Sequence, residues 1–177
     1  EYKYLLSVEQ FQEVLAKCKM KFSFSEHKLQ ANYYYDTDDN TLNSEKITVR
    51  IRQQHSAMKL QIKKHREFDN GLSTSDDYSE KIDTLPSFMR IPDISDNVFL
   101  KGVLVTERKT FFFGRNSSIG FDENMYLGIC DYEVEIELDE RDTEDALSII
   151  NYLGLVQKPI ESKSERFFRK LEAMKSE

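Results

Sequence analysis

Residues 47–64 read ITVRIRQQHSAMKLQIKK, two consecutive runs in which apolar and polar, mostly basic, residues alternate. Side chains at i and i+2 share one face of a strand. Arg50 and Arg52 therefore point together, with Ile47, Val49 and Ile51 on the reverse, while Lys59 and Lys63 share a face that Leu60 and Ile62 oppose. The same arithmetic in DYEVEIEL, residues 131–138, aligns Asp131, Glu133, Glu135 and Glu137 against Tyr132, Val134, Ile136 and Leu138. Such segments read as strands that are greasy on one side and ionic on the other, and one is acidic where the others are basic.

Other β-rich or alternating runs cover 1–5, 32–36, 78–82, 103–113 and 118–122, which with 47–54, 59–64 and 130–138 makes about eight strands. The short loops between several of them imply antiparallel neighbours, and eight is a number at which a sheet closes on itself. Three segments have helical periodicity. Phe11, Val14, Leu15 and Cys18 mark a helix over 8–19, opened by a capping box of Ser7 and Gln10. Asp142 is placed to cap a second, with Ala146, Leu147, Ile150 and Leu153 on its stripe and Gly154 as its stop. A third covers 164–175 with Phe167, Phe168, Leu171 and Met174 inward. Residues 69–77, rich in Ser, Asp and Gly, read as a long loop.

A chain of 177 residues without a linker composition is expected to form one domain over 1–177. It has no apolar run long enough to cross a bilayer and no signal-peptide pattern, so a soluble, cytoplasmic protein without a membrane partner is expected. Its formal net charge of -7 argues against a general nucleic-acid binder, so any anion site must be local. Cys18 and Cys130 stand alone and are expected as buried thiols rather than a disulfide or a zinc site. His27, His55 and His65 do not cluster.

Two architectures fit the faces. An open antiparallel sheet could carry helices on its apolar side and water on its charged side. A closed barrel could instead hold the charges in a wet lumen, with helices outside on Val49, Ile51, Val134 and Ile136. Same-face glutamates repel unless cations lie among them, which favours the barrel. Arginine and lysine suit phosphate oxygens, and glutamates supply hard oxygen ligands for Mg²⁺ or Mn²⁺. A metal-bridged polyphosphate satisfies both linings.

An ordered series of motifs adds to this reading: EYK at 1–3, NYYYDTDDNTL at 32–42, VRIR at 49–52, LQIKK at 60–64, YSEK at 78–81, TERK at 106–109, IGFD at 119–122, DYEVEIEL at 131–138 and SKSERFF at 162–168. The series resembles the CYTH superfamily, the triphosphate tunnel metalloenzymes, which include class IV adenylate cyclases, thiamine triphosphatases and inorganic triphosphatases. The resemblance implies an α+β fold, a closed eight-stranded antiparallel β-barrel with flanking α-helices. It implies metal-dependent hydrolysis of a small-molecule triphosphate with Mg²⁺ or Mn²⁺, with class IV adenylate cyclisation or non-catalytic polyphosphate binding as alternatives. It makes Lys3, Arg50, Arg52, Lys63, Arg108 and Lys163 phosphate ligands, and Glu1, Glu80, Glu133, Glu135 and Asp122 metal ligands. Glu1 and Lys3 match the second acid and the base of the family's ExExK strand, whose first acid falls before residue 1. Tyr78 stands where many relatives have a glutamate.

Overall fold

The computed structural model describes residues 1–67, 73–92, 94–114, 116–139 and 143–176. The fold is α+β, in the order β1 (Tyr2–Leu6), α1 (Val8–Lys21), β2 (Phe24–Asp36), α2 (Thr41–Ser44), β3 (Ile47–Gln54), β4 (Ala57–Glu67), β5 (Ser73–Ile82), β6 (Phe88–Ile91), β7 (Ser95–Phe113), β8 (Ser117–Tyr126), β9 (Ile129–Glu137), α3 (Thr143–Leu153) and α4 (Lys163–Lys175). The strands form one antiparallel sheet in the order β1-β9-β8-β7-β2-β3-β4-β5, with β6 on β7.

The expected closed eight-stranded barrel is not formed. Among the described residues β1 and β5 do not pair, so the nine-stranded sheet stays open. The case for closure rested on glutamates repelling one another on an open face. That repulsion is removed by cations of the chain itself, because Arg108, Lys163 and Arg166 lie among the acids. The edges also offer little to join: β1 has five residues, and the side chains of residues 76–81 on β5 are all exposed. The sheet nevertheless curls, since side chains of β1, β2, β3, β4, β7 and β9 line one concave cleft.

Apolar alternation builds the convex face in two patches. Phe11, Val14, Leu15 and Cys18 of α1, with Ile149 and Leu153 of α3, pack on Phe111, Ile119, Phe121, Val134 and Ile136. Val49 and Ile51 pack with Tyr35, Ile91, Val98 and Leu42 of the one-turn α2. The expected helix cover over Val49 and Ile51 is thus reduced to a single turn. The third long helix, α4, departs from the expected outer layer and sits on the concave side. Its Phe167 and Phe168 find Tyr34, Leu104 and Tyr126 there, the apolar exceptions on an otherwise polar face.

Helix starts follow the capping chemistry. Ser7 Oγ accepts the Gln10 N–H at 3.3 Å and Gln10 Oε1 accepts the Ser7 N–H at 3.1 Å, as the sequence predicts. α4 has a second such box, Ser162 with Glu165, which starts the helix at Lys163 rather than at 164. Asp142, the expected cap of α3, lies outside the described residues, as do 69–72 of the expected loop; residues 73–77 of that loop belong to β5. Cys18 is buried, whereas Cys130 is exposed, contrary to expectation, because it faces outward at the start of β9. Among the described residues no helix is long and apolar enough to cross a membrane.

Candidate functional site

Cross-strand register assembles the site. Arg50 pairs with Tyr34 on β2 and Gln61 on β4, Arg52 with Asn32 and Lys59, and Thr48 with Lys63, so this half of the concave face carries the cations. On the other half Arg108 pairs with Asp122, Asp122 with Glu133, and Glu135 with Lys3. The capping box at Ser162 sets Lys163 in the first turn of α4, over the acids. A cleft of about 120 Å³ lies between the halves, and Lys3, Arg50, Arg52, Lys63, Arg108 and Lys163 all line it, with Glu1 and Glu135.

The acid wall is neutralised internally. The Arg108 guanidinium forks onto Asp122, with Nε to Oδ1 and Nη2 to Oδ2 both at 2.6 Å, and also donates to Glu135. Lys163 Nζ lies 2.8 Å from Asp122 Oδ2, 3.2 Å from Glu133 Oε2 and 2.6 Å from Glu135 Oε1. Burial alone would raise the Glu135 carboxyl, but Lys163, Arg108 and Lys3 overcome it and hold Glu135 well below the usual carboxylate range. Burial wins at Glu133 and pushes it up, against Lys163 and Arg166. Burial likewise opposes the charge on Lys163, yet Asp122, Glu133 and Glu135 hold its ammonium above its ordinary value.

On the basic wall Arg50 and Arg52 are held by neutral groups. Arg50 is buried and its Nε donates to the neutral Gln61 Oε1 at 3.0 Å; Arg52 Nε donates to Asn32 Oδ1 at 2.8 Å. Among the described residues neither guanidinium lies within ion-pair distance of a carboxylate. Burial lowers Arg50, and burial with the like charge of Arg50 lowers Arg52 to about 9. Both cations are under pressure that an anion would relieve. Among the described residues the buried Asn32 Nδ2 beside them has no hydrogen-bond partner. Lys63 pairs with Asp77 Oδ2 at 2.5 Å.

The expected metal ligands separate. Glu1 and Glu135 come together, and with Glu137 each offers an oxygen within 4.8 Å of the others. Glu133 and Asp122 lie deeper, engaged by Lys163 and by Arg166 or Arg108, although the buried Glu133 Oε1 has no partner among the described residues. Glu80 is not brought to the cleft. It pairs with Leu60, points to the convex side and accepts the Tyr78 hydroxyl at 2.7 Å. His27 meets Glu107 at 2.8 Å, also on the convex side.

Two participants were not singled out from sequence. Glu137 was legible on the shared face of β9 yet was not chosen. Arg166 follows Lys163 by one helical turn, and it is 2% exposed. Its Nη2 reaches Glu133 Oε2 at 2.5 Å, its Nε reaches Asp131 Oδ2 at 2.9 Å, and its Nη1 donates to the Glu161 carbonyl at 2.6 Å.

The site is thus a curled antiparallel sheet with a cationic and an acidic wall facing one cleft and a helix start set into it. The profile of the CYTH domain matches residues 1–168, and the chain belongs to that family. A proposed adenylate cyclase from Bacillus halodurans is 26% identical with a TM-score of 0.69, over 94% of this chain and 95% of that one. A proposed adenylyl cyclase from Hippeastrum, described as having a dominant triphosphatase activity, is 21% identical with a TM-score of 0.75, over 94% and 93%. The triphosphatase of the mimivirus capping enzyme is 10% identical with a TM-score of 0.55, over 86% and 87%. The last two likenesses concern the fold alone. A search of curated protein sequences found no match.

Proposed function

We propose that this protein is a metal-dependent triphosphatase acting on a small-molecule triphosphate. The observation that carries the reading is the pair Arg50 and Arg52, held side by side on neutral amides and facing a carboxylate wall. A buried Arg50 and a half-buried Arg52, with no carboxylate within ion-pair distance among the described residues, call for an anion that reaches both, and the forked guanidinium fits phosphate oxygens. A chain of phosphates long enough to cross the cleft also meets Lys3, Lys63, Arg108 and Lys163. The likeness to a triphosphatase fold supports the same reading.

The donor set fits a divalent cation. Three carboxylates with oxygens within 4.8 Å suit a hard ion, and Glu133 Oε1 has no partner among the described residues. Glu1, Glu135 and Glu137 would hold it, with Glu133 beneath. When bound, Mg²⁺ or Mn²⁺ neutralises phosphate charge and acidifies water. The protein's own groups do the positioning. Arg50 and Arg52 anchor one end of the triphosphate, and Arg108 and Lys163 share their charge between the acids and the phosphate oxygens. As water attacks phosphorus and the P–O bond breaks, the negative charge that builds on the departing phosphate stays within reach of fixed cations. No covalent nucleophile is required.

Phosphate release should be measured with inorganic triphosphate, thiamine triphosphate, ATP and GTP, each with Mg²⁺ and with Mn²⁺. Release from at least one is expected. Arg50→Ala and Arg52→Ala should each lower kcat/KM by about 10²-fold, since each removes a charged hydrogen bond. Unchanged triphosphate affinity in both variants would sink the reading. Cyclic AMP and pyrophosphate as the products from ATP would replace hydrolysis by cyclisation.

A further inference from the structure

The cationic wall does not stop at the cleft. Across four strands the register sets Asn32 on β2 opposite Arg52 on β3, Arg52 opposite Lys59 on β4, and Lys59 opposite Lys81 on β5. Directly opposed residues share a face, so this row runs over the concave side from the cleft to the outer strand of the sheet. Arg52 lines the cleft, whereas Lys59 and Lys81 are exposed beyond it. Neighbouring strands stand about 4.8 Å apart, so the three cations start from backbone positions spanning about 10 Å.

Like charges set directly opposite one another destabilise a sheet unless something negative lies between them. Among the described residues Lys59 and Lys81 have no carboxylate within ion-pair distance, and Arg52 Nε donates to the neutral Asn32 Oδ1 at 2.8 Å. The same amide is fully buried and its Nδ2, a donor, has no partner among the described residues. β4 and β5 do oppose unlike charges elsewhere, where Lys63 meets Asp77 at 2.5 Å. The row Arg52, Lys59 and Lys81 is thus left for an anion from outside.

Its surroundings specify which anion. On the concave side Arg50, Gln61 and Ser79 flank the row on one side, and Gln54 and Ala57 on the other. None of these is aromatic, and Tyr78 lies on the convex side with Glu80. The row therefore offers charge at close intervals and no surface on which a base could stack. A linear chain of phosphates, charged at every unit and without an apolar part, matches that lining.

Resting on the placement of a triphosphate against Arg50 and Arg52, we infer that Arg52, Lys59 and Lys81 form a further phosphate subsite, and that the protein takes linear inorganic polyphosphate of more than three units. The first three phosphates fill the cleft. The fourth and later ones pass from Arg52 over Lys59 and leave at Lys81, where the outer strand sets no limit on chain length.

Titration calorimetry in EDTA, where metal-dependent turnover does not consume the ligand, compares inorganic triphosphate with inorganic tetraphosphate. The wild type should bind tetraphosphate about tenfold more tightly, the sum of two exposed ion pairs. Lys59→Ala and Lys81→Ala should each lower that ratio about threefold, and the double variant about tenfold. Lys19→Ala removes the same charge from an exposed position on α1 and should leave the ratio unmoved. All three positions are exposed, so the variants should fold, and thermal melts verify this. A wild-type ratio near one, a ratio insensitive to Lys59 and Lys81, an equal fall in Lys19→Ala, or binding of neither phosphate overturns the inference; the two lysines then only guard the sheet edge. Dependence on them for a 5′-triphosphorylated oligonucleotide but not for tetraphosphate also overturns it, in favour of a nucleic-acid tail. The triphosphatase reading stands or falls separately, on phosphate release from the three-unit substrates with metal.

Discussion

Arg166 holds two carboxylates and a main-chain carbonyl at once, and nothing else among the described residues can take its place beneath Lys163. Replacing it by Met leaves Asp131 and Glu133 short of a buried counter-charge. The expected cost is about 3 to 5 kcal/mol, read from urea unfolding. Glu135 makes the acid side of the site pH-sensitive in a definite direction. Its folded pKa is depressed by Lys163, Arg108 and Lys3 against the effect of burial. Its contribution to stability is therefore complete above the unfolded value of about 4.3 and is lost as pH falls through the lower folded value. Urea midpoints taken from neutral pH downward should fall in strong acid, and Glu135→Gln should flatten that fall. Glu133, raised by burial, works in the opposite sense. At this scale Arg50, Arg52, Glu133 and Glu135 were legible because strand alternation alone decides their face. Glu80 was misjudged by motif, since the pairing Leu60 with Glu80 decides its side and no local pattern reveals that register.

α4 shows how an element delivers a residue. Its capping box fixes where the helix begins, and Phe167 fixes how deeply it sits. Gly102 on β7, at a φ of +153°, makes room for it: a Cβ there would stand 2.9 Å from Phe167 Cζ. Gly102→Ala should therefore push α4 away, costing about 1 to 3 kcal/mol. It should also weaken triphosphate binding through Lys163, although Gly102 lies outside the cleft. The double variant Gly102→Ala with Phe167→Leu should recover part of both losses, measured by thermal melts and titration calorimetry. The helix itself was legible from its apolar stripe. Its place inside the concavity was not, because the stripe shows that α4 must bury one face but leaves open which side of the sheet receives it.

Over the whole molecule, a chain with a net charge of -7 keeps a patch of cations by spending acids against some of them and leaving Arg50 and Arg52 uncompensated. Ligand binding should therefore stabilise the fold. Triphosphate at a hundred times its Kd should add about 2.7 kcal/mol and raise Tm, and Arg50→Ala should abolish the shift. Strand number was nearly legible, but closure was not, since it depends on contacts between the first strand and one whose partner is chosen far along the chain.

The two walls of the cleft are tied directly by α4, with Ser164 Oγ 2.8 Å from Thr48 Oγ1 on β3 and Lys163 on Glu135 of β9, whereas along the sheet they are joined the long way, through the ladders from β9 to β8, β7, β2 and β3. Small changes of twist at each ladder add up along that route, whereas each wall by itself is short and stiff. The helix thus acts like a rivet across a bent strip: it limits how far that accumulated twist can open or close the gap.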